Sequence, residues 1–220
     1  AVFYQIPTGS FAMFEAMLKQ PVLLVFALFF AGILSGNAQA ISLQNYPSGV
    51  FVIDSFYMPQ LERFRKIWVY LPPDYNETTK RYPVLYLQDG QNLFEDSTSF
   101  VGEWHVDETL DSLQKNHADY GCIVIGIENA GEKRTDEYQP HKHSKYGGGE
   151  GDLYVDFIIN TLKPFVDDMF RTLPDAANTG IGGSSLGALI SLYAVLHHPE
   201  VFKKALLFSP AFWVDDSLFY

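Results

Sequence analysis

The pentapeptide GSSLG at residues 183–187 constrains this chain more than any other stretch, because it separates two different structural patterns. Residues 178–182 are typical of a short, glycine-rich buried strand, and residues 185–198 have the apolar spacing of a helix. A G-x-S-x-G turn between strand and helix strains the serine backbone and exposes its Oγ, and it needs glycines because a Cβ there would clash. The context makes Ser185 a candidate nucleophile and Leu186 N–H a candidate donor to a developing oxyanion. A plain Gly/Ser turn is the alternative that the pentapeptide alone leaves open.

The rest of the chain alternates apolar runs with helical patterns. Strands are predicted at residues 50–58, 65–71, 82–87, 122–127 and 205–209, the first two as an antiparallel pair. Helices are predicted at residues 104–113 and 152–170, the second capped by Asp152 and bent or interrupted at Pro164. This alternation predicts an α/β fold with a mostly parallel sheet and helices on both of its faces.

Three loops are expected to meet at one rim of that sheet. In open α/β sheets the reactive loops gather at the carboxyl ends of the strands, which here places residues 89–94 and 128–138 beside the Ser185 turn. Gly90 allows a close backbone approach, and we assign a second oxyanion donor to the N–H of Gln91. An ordinary tight turn at residues 89–90 is the competing interpretation.

Composition and short motifs limit the domain size and the kinds of ligand that we expect for this chain. The chain has 220 residues, 47% of them hydrophobic, which suffices for one well-buried domain. Its 15 basic and 26 acidic residues give a net charge of −11, which argues against nucleic acid. Cys122 lies in an apolar run and is predicted to be a small buried side chain. The glycine-rich residues 146–151 match no phosphate-binding motif, and His141 and His143 near Glu137 suggest a polar loop, so we predict no cofactor and no metal site.

The first forty residues are typical of a targeting segment. Lys19 precedes an apolar stretch at residues 21–33, and residues 37–40 supply the small side chains of a cleavage site. A membrane anchor is disfavoured because spanning a bilayer takes about 20 apolar residues. We therefore predict upstream residues plus a signal peptide over residues 1–40, a single folded domain over residues 41–220, and a secreted or periplasmic protein without a stable membrane anchor.

Four ordered segments together are similar to a known family. Residues 70–75, 85–94, 183–187 and 209–213 resemble the putative esterase family of α/β-hydrolases, which includes feruloyl and acetylxylan esterases, siderophore esterases, S-formylglutathione hydrolase and mycolyltransferases. The resemblance implies an α/β-hydrolase fold, Ser185 as nucleophile, and an oxyanion hole formed by Leu186 and the Gln91 region.

The resemblance also marks residues around the site. Substrate contact or loop positioning is expected for Asp89, Trp104, Glu128, Arg134 and Tyr138, with Glu137 in the same segment. The implied function is a serine carboxylic ester hydrolase that works through an acyl-enzyme. Its substrate would be an acylated or feruloylated carbohydrate or a siderophore ester. An acyltransferase and a non-catalytic binding module on the same fold are the alternatives, and the oligomeric state is left open.

The sequence departs from the family in one respect. The family order is Ser, then Asp or Glu, then His, but after Ser185 this chain has only His197 and His198, ~18 Å away along the helix. Asp215 and Asp216 follow a strand end, which leaves the role of orienting acid open to them, but a surface pair is the favoured interpretation. We therefore expect the C-terminal part of the domain, including the catalytic His, to be missing from this chain, and the chain as given to be inactive.

Overall fold

The structure is a computed structural model that describes residues 48–214. The predicted targeting segment and the pair Asp215 and Asp216 lie outside the described residues.

The described residues form a mixed sheet. Its strands are β1 (Gly49–Met58), β2 (Arg63–Leu71), β3 (Val84–Gln88), β4 (Ile123–Ile127), β5 (Thr179–Ser184) and β6 (Lys204–Phe208). Their spatial order is β1-β2-β4-β3-β5-β6. The pairs β1·β2 and β2·β4 are antiparallel, whereas β3·β4, β3·β5 and β5·β6 are parallel. The prediction of an antiparallel opening followed by a mostly parallel sheet is confirmed.

Helices connect the parallel strands. They are α1 (Val106–Asn116), α2 (Arg134–Tyr138), α3 (Gly151–Phe157), α4 (Lys163–Met169) and α5 (Leu186–His197). Between α3 and α4 the chain makes a wide π turn over Ile158–Leu162. Pro164 explains this interruption, because proline lacks an N–H and its ring clashes with the carbonyl four residues earlier.

The predicted cap of this helical stretch is wrong. The N-cap of α3 is Glu150, and its side chain makes no capping hydrogen bond. Asp152 lies inside the first turn, where its carboxylate accepts a hydrogen bond from the hydroxyl of Tyr193. The carboxylate therefore links two helices rather than starting one.

The core lies on both faces of the sheet. Along β2, Ile67 and Val69 pack in one buried cluster, whereas Trp68 and Tyr70 pack in another. Successive side chains of a strand point to opposite faces, so these clusters lie on opposite sides of the sheet. The first contains apolar side chains of α3, α4 and α5, and the second is covered by those of α1. The predicted two-sided helical covering is thus confirmed.

Two further features concern the cysteine and the lengths of the helices. Burial raises the pKa of the Cys122 thiol to about 11, so the thiol is protonated at neutral pH and a poor nucleophile. Within residues 48–214, none of the helices is long and apolar enough to cross a membrane.

Candidate functional site

Ser185 occupies the turn between β5 and α5. Its backbone has φ 58° and ψ −119°, a conformation that residues other than glycine rarely adopt. Three hydrogen bonds hold it there. Ser185 N–H donates to Phe208 O at 3.0 Å, and its carbonyl accepts from the N–H groups of Leu189 and Ala211, both at 3.1 Å. The side chain is exposed, and its Oγ makes no hydrogen bond with any described residue.

Glycines let this turn pack against the end of the neighbouring strand. A Cβ on Gly183 or on Gly187 would lie 2.9 Å from the Cβ of Gln88, closer than real Cβ contacts. A Cβ on Gly187 would also lie 3.1 Å from a carboxylate oxygen of Asp89. The small residues of the motif therefore bring the Ser185 turn onto the turn that follows β3.

The turn after β3 also begins with a non-glycine residue at positive φ. Asp89 has φ 57° and ψ 48°, and the 3-10 turn Gly90–Asn92 follows it. Gly90 packs against β4, where an added Cβ would lie 2.6 Å from the carbonyl carbon of Gly126. The first hydrogen bond of the turn runs from Asn92 N–H to Asp89 O at 2.9 Å. Gln91 N–H precedes this bond and therefore has no partner within the turn.

The Asp89 carboxylate is saturated with partners. Arg134 binds both of its oxygens, Nε to Oδ1 at 2.6 Å and Nη2 to Oδ2 at 2.8 Å. Asn129 Nδ2 donates to Oδ1 at 2.8 Å. The side chain is almost completely buried. Burial opposes the charge on Arg134, but the hydrogen bonds to Asp89 and the negative charge of Asp89 raise the pKa of Arg134 above its ordinary value, so the guanidinium stays charged.

Tyr138 contacts both members of the Asp89–Arg134 ion pair. Its ring lies 5.0 Å from the Arg134 guanidinium carbon, and its hydroxyl accepts a hydrogen bond from Asp89 N–H at 3.1 Å. The residue is completely buried, and burial, followed by the charge of Asp89, raises the pKa of its hydroxyl. The hydroxyl thus remains protonated and positions the loop rather than exchanging protons.

A cleft of about 580 Å³ lies between these turns. Its lining residues are Asp89, Gln91, Asn92, Phe100, Val101, Trp104, Asn129, Gly131, Arg134, Ser184 and Ser185. Phe100 and Val101 stand in solvent at 87% and 77% exposure, and the Trp104 ring packs edge-on against Phe208 at 5.6 Å. The cleft therefore pairs a serine hydroxyl with an apolar wall and a neutralised ion pair.

The structure separates the predicted site residues. The cleft brings together Ser185, Gln91, Asp89, Trp104 and Arg134. Leu186 and Tyr138 do not line the cleft. Leu186 is the first residue of α5, so its N–H has no intrahelical partner. Tyr138 is buried beneath the floor of the cleft. Glu128 also lies outside the cleft, because it continues the β4 ladder and accepts a hydrogen bond from Trp68 Nε1 at 3.2 Å.

Sequence reasoning missed other lining residues. Asn129 holds the turn after β3 at two points, since its N–H donates to Gln91 Oε1 at 3.2 Å and its amide donates to Asp89. Its position directly after β4 was the available signal, because strand ends share one rim. Phe100 and Val101 follow no pattern that the sequence could identify.

All six histidines of the chain fall within residues 48–214, and none of them lines the cleft. His197 lies near the end of α5 with its Nδ1 3.0 Å from Tyr193 O, and His198 Nδ1 lies 3.3 Å from Glu200. His141 and His143 are exposed on a loop. Glu137 is instead fully buried and binds Arg65 Nη2 at 2.7 Å.

Comparison with known proteins assigns the family. A family model described as "Putative esterase" matches residues 59–218, most of the chain. The chain belongs to this esterase family.

Two curated relatives and one solved structure show how far the likeness extends. The Bacillus subtilis protein YbbA is 30% identical over 159 residues, which are 70% of this chain and 59% of YbbA. The siderophore triacetylfusarinine C esterase of Aspergillus fumigatus is 27% identical over 139 residues, 60% of this chain and 44% of that enzyme. The BES protein from Bacillus cereus has a similar fold, with a TM-score of 0.64, 21% identity, and coverage of 80% of this chain and 67% of that one. This esterase-family chain, whose fold is of the α/β-hydrolase class, thus spans less than two thirds of the length of these curated relatives.

Proposed function

We propose that this protein is a serine carboxylic ester hydrolase that works through an acyl-enzyme on Ser185. The observation that carries the proposal is the Ser185 turn itself. A serine held at positive φ, with an exposed Oγ that makes no hydrogen bond to a described residue, opens onto a cleft beside a helix N-terminus. Strained backbone of this kind concentrates at functional sites.

The oxyanion hole is proposed to consist of two backbone N–H groups. Leu186 N–H begins α5, and the helix dipole adds positive potential there. Gln91 N–H comes from the facing turn. The Gln91 side chain is held by a hydrogen bond from Asn129 N–H. Removing one donor of such a pair typically costs about 10²–10³ in rate.

The general base is proposed to come from outside this chain. No histidine of the chain lines the cleft, and a serine hydroxyl at neutral pH needs an adjacent base to attack an ester. On this proposal the 220-residue chain alone does not turn over, and a version extended beyond Tyr220 does.

The substrate is proposed to be an ester with an apolar acyl or aryl portion, such as a siderophore ester or an acylated or feruloylated carbohydrate. The exposed Phe100 and Val101, together with the partly buried Trp104, support an apolar portion. The similarity to a siderophore esterase supports the first class. Secretion belongs to the same proposal, with the apolar segment at residues 21–33 as its support.

Fluorophosphonate labelling tests this function. The 220-residue chain and the extended protein are treated with the probe, with Ser185→Ala and Ser184→Ala variants of each. We expect strong labelling of the extended protein, lost in Ser185→Ala and retained in Ser184→Ala, since both serines line the same cleft. Folded extended protein that stays unlabelled would refute the enzyme and favour a binding module.

A further inference from the structure

A cluster of potential metal ligands lies beside the cleft, at the start of α1. His105 Nδ1 is 3.6 Å from Glu103 Oε1 and 3.5 Å from Glu108 Oε1. The ligand atoms of these three residues all lie within 4.8 Å of one another. His105 is the N-cap residue of α1, and Glu108 lies in the first turn of that helix.

The buried carboxylate of Glu103 is the second observation that indicates a ligand. Its side chain is only 9% exposed, and its Oε1 makes no hydrogen bond with any residue in the range 48–214. The 3.6 Å separation from His105 Nδ1 is too long for a hydrogen bond. A buried carboxylate oxygen without a partner is costly, so native structures pair such groups or bind them to metals. Asp107 Oδ1 is a second buried oxygen without a partner in this segment.

Hydrogen bonds hold the cluster in place. Trp104 N–H donates to Asn92 O at 2.9 Å, and Val106 N–H donates to Leu93 O at 3.1 Å. These bonds fix the backbone on both sides of His105, whose φ of 51° is in the left-handed region. Little chain ordering would therefore accompany binding of an ion.

The donor set selects the class of ion. One imidazole nitrogen and two carboxylate oxygens suit a borderline transition ion better than Ca²⁺ or Mg²⁺, which prefer all-oxygen sites. In a tetrahedral zinc site, ligand atoms about 2.0–2.1 Å from the metal are about 3.3 Å apart. Both separations from His105 Nδ1 are close to that value, and His105 and Glu108 are more than 60% exposed, which leaves room for small adjustments and for a water ligand.

We infer that Glu103, His105 and Glu108 form a Zn²⁺ site. Trp104 lies between two of the ligands, and its ring lines the cleft beside Ser185. Bound zinc stabilises this wall of the cleft and does not take part in the reaction at Ser185. The site stands independently of the esterase proposal, because its test measures zinc rather than turnover.

Equilibrium dialysis of the untagged full chain against Zn²⁺, with the metal content measured by mass spectrometry, tests the inference. The variants are His105→Asn, which keeps a residue that tolerates the left-handed backbone, Glu103→Gln and the exposed Glu108→Gln. His198→Asn is the matched control, because His198 also faces one carboxylate but belongs to no three-ligand group among the described residues.

We expect one zinc per chain in the wild type and in His198→Asn. Loss of a direct ligand should weaken binding more than about 100-fold, since even residues behind the ligands contribute 10–100-fold. Wild-type binding to Zn²⁺ by His105→Asn and Glu108→Gln would overturn the site, as would absence of zinc from the wild type at micromolar Zn²⁺. Displacement of zinc by equal Ca²⁺ would overturn the class of ion. Thermal unfolding confirms that each variant is folded.

Discussion

The turns at Ser185 and Asp89 follow neighbouring parallel strands and share a positive φ, but their side chains are held differently. Each is a non-glycine residue at positive φ that ends a strand and precedes a helical turn. Both carboxylate oxygens of Asp89 accept hydrogen bonds, from Arg134 and Asn129. Ser185 Oγ, in contrast, makes no hydrogen bond to a described residue. The difference teaches that strain alone does not identify a reactive group. A reactive group is one that the surrounding structure leaves without partners.

The largest effect is expected from removing the hydroxyl. In the protein extended beyond Tyr220, Ser185→Ala should lower kcat for ester hydrolysis by about 10⁴–10⁶ without changing the unfolding temperature, because Oγ contributes to chemistry and not to packing. Steady-state kinetics and calorimetry measure the two quantities. Ser184→Ala is the control and should stay within a few-fold of wild type; a Ser185→Ala variant with substantial turnover would remove the proposed nucleophile.

The next effect is on stability at the Asp89 turn. Gly90→Ala should lower the free energy of unfolding by about 3 kcal/mol, because the new Cβ would meet backbone atoms of β4 at 2.6–2.9 Å. Gly102→Ala is the control: its φ is +99° but nothing lies within 4 Å of a Cβ, so only about 1 kcal/mol is expected. Denaturant unfolding of both variants gives the comparison, and equal losses would show that the close approach to β4 does not matter.

Asp89→Asn tests whether the saturated turn is architectural. It leaves Arg134 without its charged partner, and we expect a loss of about 2–3 kcal/mol, less than for a completely buried pair because Arg134 is partly exposed. Urea unfolding measures the loss. Lys133→Gln breaks an exposed ion pair on the same segment and should leave the stability nearly unchanged. An Asp89→Asn variant as stable as wild type, yet inactive, would move Asp89 from architecture to chemistry.

The smallest effect is expected at Glu128. Because its side chain binds Trp68 outside the cleft, Glu128→Gln should change kcat/KM of the extended protein by less than about twofold and stability by less than about 1 kcal/mol. Initial-rate measurements on an ester substrate give the change in kcat/KM. A tenfold loss would return Glu128 to the site that the sequence predicted for it.

The sequence predicted the fold more completely than the site. Apolar runs and the glycine pattern located β5, α5 and the turn between them, because local periodicity and backbone sterics determine these elements. The Asp152 cap was wrong because the carboxylate binds Tyr193, a partner 41 residues away that no local pattern contains.

The contacts of the site depend on such distant partners. Arg134 and Asn129 reach Asp89 across 45 and 40 residues, so their pairing becomes visible only when β3 and β4 lie side by side. The family resemblance places Glu128 beside the site, but strand alternation directs its side chain to Trp68, outside the cleft. Sequence reasoning thus placed the loops correctly and left the direction of individual side chains undetermined.

The exposed Phe100 and Val101 at the mouth of the cleft have a calorimetric consequence. Both side chains expose apolar surface to water in the free protein. Any ligand that covers them releases this water, so its association has a negative heat capacity change and becomes more exothermic as the temperature rises. A ligand that touches only the polar floor, near Asp89 and Arg134, lacks this temperature dependence. The sign and size of the heat capacity change therefore report which half of the cleft a compound occupies.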